Sequence, residues 1–101
     1  MKIPKNIKIG WRNYTIEYGE ERRDEKGNLL NGEIDYTNHI IYIDKNIVDN
    51  KEKIITFLHE TVHGILYSQG HLKWAENEEL VSAISEGWFQ LIEDNTKLFN
   101  D

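Results

Sequence analysis

The apolar residues of this chain change their spacing part-way along, and that change limits what the chain can fold into. As far as Asp44 they recur at about every second position, and from Asp49 onward at every third or fourth. A period of two belongs to strands with one buried face, and a period near 3.6 to helices. Strands gathered in the first half and helices in the second predict an α+β fold.

Ile7, Ile9 and Trp11, then Tyr14, Ile16 and Tyr18, alternate with polar residues around Arg12-Asn13, which predicts a hairpin. Glu20 to Asn31 is dense in charge and contains Gly27-Asn28, so a turn or mobile loop is expected there. Gly32 to Tyr36 and His39 to Asp44 predict a second strand pair about Thr37-Asn38, and residues 1–48 together a small antiparallel sheet. Asp49 or Asn50 is placed to cap a helix, with Asp49 and Glu52 in capping-box spacing, and a first helix is expected over residues 49–70, ending at Gly70. After a connection from His71 to Ala75, a second helix is expected over 76–95, with Leu80, Val81, Ile84, Trp88, Leu91 and Ile92 facing inward. Residues 96–101 form a tail expected to fray, and the three tryptophans, Trp11, Trp74 and Trp88, are read as core or interface anchors.

With 101 residues, of which 39% are hydrophobic, one compact domain over 1–101 is expected. The net charge of -6, with its cations scattered, argues against a nucleic-acid partner. No cysteine is present, so any zinc must be held by histidine and carboxylate, and a reducing cytoplasm fits best. Neither a signal peptide nor a span of ~20 apolar residues is evident, which predicts a soluble protein that is not exported and has no membrane partner.

Within the first predicted helix, residues 59–63 read His-Glu-Thr-Val-His. Positions four apart lie nearly one above the other on a helix, so His59 and His63 can present two imidazole nitrogens to one zinc ion. Glu60 is turned to the flank of that ion, where it can act as general base toward an activated water. Ile54, Ile55, Leu58, Val62, Ile65 and Leu66 share a face, which puts both histidines at the margin of the buried stripe.

Two histidines leave a catalytic zinc short of a third protein ligand, and the start of the second helix offers Glu76, Glu78 and Glu79. On a helical wheel Glu78 flanks the apolar face whereas Glu79 points away from it, so Glu78 is the first candidate and Glu79 the second. Carboxylates in a first turn also complement the helix dipole without any metal. Tyr67, a turn beyond His63, is a candidate for oxyanion stabilisation, with simple packing its commoner fate. His71 and His39 are solitary and read by default as surface or loop histidines. An edge strand from His39 to Ile43 is the expected place for an extended substrate.

His59-Glu60-Thr61-Val62-His63, followed by Asn77-Glu78 at the opening of a second helix, resembles the gluzincin metallopeptidases. More narrowly, the segments Phe57 to Leu66, Asn77 to Val81 and Gln90 to Asn95 resemble small phage and prophage proteins of the ImmA/IrrE-like metallopeptidases. That resemblance implies a minimal zincin, with zinc on His59, His63 and Glu78 and the base at Glu60. It also implies a protein or peptide substrate, a helix-turn-helix transcriptional repressor in the better understood members. The rival expectation is a catalytically weak or inactive, zinc-stabilised protein-binding module of phage origin. A metal-free structural domain is a third.

Overall fold

The structure is a computed structural model that describes residues 1–98; residues 99–101 of the expected tail lie outside the described residues. Strand β1 (Asn6–Ile9) pairs antiparallel with β2 (Arg12–Gly19), Ile7 lying opposite Tyr14. The reversal is made at Gly10-Trp11 and not at Arg12-Asn13, because Gly10 takes φ 63° at no steric cost. The charged segment that follows, expected as a turn or mobile loop, carries a short ladder, β3 (Arg22–Arg23) with β4 (Leu29–Leu30), closed by a turn through Gly27-Asn28. Strands β5 (Gly32–Asp35) and β6 (Ile40–Asp44) form the second antiparallel pair. Their turn is tied by the Asp35 carboxylate, which accepts from the Asn38 and Thr37 N–H groups at 2.9 and 3.0 Å. Those bonds hold its carboxyl below the usual range.

The expected antiparallel sheet is a mixed one. Its order is β1-β2-β6-β5, and the central pair, β2 and β6, runs parallel. Alternation within a hairpin says which residues share a face, but it carries no information on how two hairpins join. Here the Glu20–Asn31 segment begins and ends at the same end of the sheet and crosses to its far edge, so β5 runs back along that edge and β6 returns beside β2 in the same direction as β2.

Helix α1 (Asn50–Ser68) starts at Asp49, whose carboxylate accepts from the Lys51 N–H at 2.9 Å. It ends in a Schellman turn: Gly70 (φ 81°) donates to the Tyr67 carbonyl and His71 to the Leu66 carbonyl. Phe57 joins Ile9, Tyr14, Ile16, Ile41 and Ile43 in the core between this helix and the sheet. Gly64 permits the close approach, since a Cβ there would lie 2.9 Å from Ile9 Cδ1 and 3.1 Å from Ile34 Cδ1.

The buried arc of α1 is wider than the apolar stripe and displaced from it. Thr56, Glu60, Thr61 and His63 are buried, whereas Ile65 is 45% exposed. The helix lies between the sheet and a second helical layer, so polar side chains on its flanks are covered as well. His63 is therefore inside the protein and not at a margin.

The expected connection contains a single-turn helix, α2 (Leu72–Ala75). Helix α3 (Glu78–Asp94) follows, capped by the Asn77 side chain, which accepts from the Leu80 N–H at 3.0 Å. Of its expected inner face only Val81 is fully buried, together with Ser85. Trp88 and Leu91 remain 44% exposed, and Trp11 and Trp74 more so, so none of the three tryptophans is a core residue. Trp11 sits in the first turn under the Arg12 guanidinium, and Trp74 stacks on His71. Thr96–Leu98 close the described chain as a 3-10 turn. Among the described residues no helix is long and apolar enough to cross a membrane.

Candidate metal centre

One helical turn separates His59 from His63, and their Nε2 atoms face each other at 3.2 Å. Glu78, the first residue of α3, brings Oε2 to 2.9 Å from His59 Nε2 and Oε1 to 2.9 Å from His63 Nε2. The three ligand atoms lie within 4.8 Å of one another, and this is the group among the described residues able to hold a metal ion. Local sequence explains the meeting. The Schellman turn reverses the chain at Gly70, α2 spans the gap, and the Asn77 cap starts α3 with Glu78 directed at α1.

The donor set fits a small cation. Bonds of 2.0–2.1 Å at a tetrahedral angle would place ligand atoms about 3.3–3.4 Å apart, close to the spacing of the two imidazole nitrogens. Protonation points the same way. His63 Nδ1 donates to the Ala75 carbonyl at 2.5 Å, which assigns the proton of a neutral ring to Nδ1 and leaves the Nε2 lone pair facing inward. That lone pair then meets a carboxylate oxygen at 2.9 Å. Acceptor facing acceptor is repulsive unless a second proton or a cation lies between them. Exposure falls in order across the set, with Glu78 open at 69%, His59 at 20% and His63 at 9%, as expected of a site reached from one side.

Glu60 lies beside this group, only 6% exposed, with its Cγ passing over Gly32 of β5. No protein group hydrogen-bonds its carboxylate among the described residues, and since no buried side-chain oxygen is left without a partner, that carboxylate opens on the cleft. Burial, and then the nearby Glu78 and Glu33 carboxylates, push its pKa up to about 8. A cation at the histidines would oppose both effects.

All of these side chains line one cleft of about 790 Å³, floored by β5 and bounded by α1, α2 and α3. A second groove between α1 and α3, lined by Leu58, Val62, Ile65, Ile84 and Trp88 among others, holds no titratable group and so offers no acid–base or metal chemistry.

Sequence reasoning placed the substrate strand at His39 to Ile43, and the topology corrects this. Strand β6 is enclosed by β2 and β5, so its backbone is already paired on both sides. The edge beside the cleft is β5, whose Gly32, Glu33 and Ile34 line it.

Tyr36 was missed as a site residue. It follows β5, lines the cleft, and is close enough to Glu60 and Glu78 that their charges, after burial, raise its phenol pKa. Only its position at the end of a strand was visible in the sequence. Tyr67 stands behind it, stacked ring on ring at 4.0 Å and 10°, and does not line the cleft. Glu79 is outside both the ligand group and the cleft. His71 stacks on Trp74, and His39 sits in the β5–β6 turn at φ 57° against Tyr14.

No family model matches the chain, and comparison with curated proteins and with solved structures returns no match either.

Proposed function

We propose that the chain is a zinc-dependent metallo-endopeptidase with the ligand set His59, His63 and Glu78 and with Glu60 as general base, a minimal zincin of the ImmA/IrrE-like kind. The observation that carries the reading is the pairing of an inward-facing ligand group with the largely covered Glu60 carboxyl, which opens on the same cleft. A zinc ion there would supply Lewis acidity, polarising a peptide carbonyl and lowering the pKa of a water toward about 7.

The chain's own groups do the rest. Glu60 accepts the proton of the attacking water on its carboxylate and passes it to the departing amine as the C–N bond breaks. Tyr36 stays protonated, so its hydroxyl is a donor toward the oxygen on which negative charge develops. An extended polypeptide pairs with the free edge of β5, which carries its backbone past Glu60. The Ala75 carbonyl keeps the His63 ring in the tautomer a ligand needs.

The rival reading, a zinc-stapled binding module of phage origin, leaves Glu60 unexplained. A staple needs only the ligand group, and a carboxyl so largely covered that burial raises its pKa is a cost that binding a protein elsewhere does nothing to offset. Metal analysis and proteolysis of an unfolded protein substrate decide the matter. The expected result is one zinc per chain, with Glu60→Gln retaining the metal and losing hydrolysis. Purified protein that binds no zinc, or a Glu60→Gln variant as active as the wild type, overturns the proposal.

A further inference from the structure

The charge of the cleft points to what it accepts. Its walls carry no lysine or arginine, and every charged side chain on them is a carboxylate. Several of these are already committed: Glu78 to the histidines, Glu33 to Arg22 at 2.7 Å, and Asp24 to the N–H groups of its own turn. Glu52 on the first turn of α1, Glu76 before α3 and Glu86 in the middle of α3 form no ion pair among the described residues. They ring the cleft, so the negative field survives even with a divalent cation on the ligand group. Leu30, Ile34 and Ile55 lie among the acids. An apolar wall with a carboxylate at its rim suits a side chain with a long aliphatic stem and a cationic head.

We propose that the cleft selects a basic polypeptide segment, with lysine or arginine flanking the peptide bond that lies at His59 and His63, their cationic heads meeting Glu52, Glu76 and Glu86. The inference deepens the peptidase reading, yet selection by charge is a property of binding and is measurable without turnover.

Two fluorescein-labelled peptides of equal length, one with lysines and one with glutamates around a central Ala-Leu bond, are titrated by fluorescence anisotropy against zinc-loaded Glu60→Gln protein. The lysine peptide is expected to bind at least ~10-fold more tightly at low salt, with the preference shrinking as salt is raised. Glu52→Lys with Glu86→Lys abolishes the preference, Glu52→Gln with Glu86→Gln weakens it, and Glu17→Lys, on an exposed strand position outside the cleft, leaves it in place. Equal binding of the two peptides, or a preference that survives both double substitutions, overturns the inference. Cleavage separates it from the reading beneath it. Wild-type protein that hydrolyses both peptides equally overturns charge selection and leaves the peptidase standing, whereas selective binding without hydrolysis upholds charge selection and removes the peptidase.

Discussion

Glu60 predicts a measurable conflict between stability and chemistry. In metal-free protein its carboxyl has a folded-state pKa of about 8 against an ordinary value of 4.5, chiefly from burial and then from Glu78 and Glu33. Below 4.5 the folded and unfolded chains both hold the proton, and no penalty arises. Between 4.5 and about 8 the unfolded chain releases it while the folded chain keeps it, so stability falls as pH rises. At 1.36 kcal/mol per pKa unit, the loss is under about 1 kcal/mol at pH 5 and on the order of 3 kcal/mol at pH 7. Gln at this position keeps the shape without the titration. Urea denaturation of wild type and Glu60→Gln in excess chelator, repeated across this pH range, measures the difference directly. Glu60→Gln should be the more stable protein at neutral pH, the gap should close toward pH 5, and zinc should narrow it by stabilising the ionised carboxylate. A gap independent of pH, or a wild type that is the more stable at pH 7, refutes the burial argument.

Three further outcomes follow from the same geometry. Glu78→Gln should weaken zinc binding by more than the ~10–100-fold that losing an outer partner of a ligand costs, while Glu79→Gln leaves it unchanged, as read by competition with a chromophoric chelator. Tyr36→Phe should lower kcat by about 100-fold with zinc content and thermal stability intact, as expected for one oxyanion donor, and Tyr67→Phe should affect kcat far less. Gly32→Ala should destabilise the fold by about 1–3 kcal/mol in thermal denaturation, because the added Cβ would stand 2.6 Å from Thr56 Cγ2 and 2.8 Å from the Tyr42 carbonyl oxygen.

The local elements were legible because their signals are local. The Asp49 cap, the Gly70 stop and the two alternating strand pairs each rest on residues a few positions apart, whereas the Asn77 cap, which starts the second helix at Glu78 and not at Glu76, was not read. What sequence missed depends on contacts between distant segments. The parallel pairing of Thr15–Gly19 with Ile40–Asp44 is decided by how a charged crossover packs, and no periodicity reports that. The edge assignment failed with it: His39 to Ile43 was read as the free strand, whereas Ile41 and Ile43 are fully buried because that strand is central. The same limit explains the tryptophans, since aromatic size predicts burial only where a neighbour exists to cover it.

The site divides along the same line. His59 and His63 are bound to meet by helix geometry alone, so five residues were enough to see them. Glu78 required a second element to be placed, and the helical wheel chose it over Glu79 because its flank faces the first helix. Tyr36 comes from a third element and carries no motif, so only the assembled cleft reveals it. The cleft also shows why the arrangement is costly to hold. His63 and Glu60 are buried on a helix whose apolar stripe does not include them, and Gly32 lets β5 close over the Glu60 stem. Packing alone would favour apolar side chains at positions 60 and 63. That both depart together from what packing favours, around one inward-facing ligand group, is the pattern expected when a fold gives up stability for chemistry.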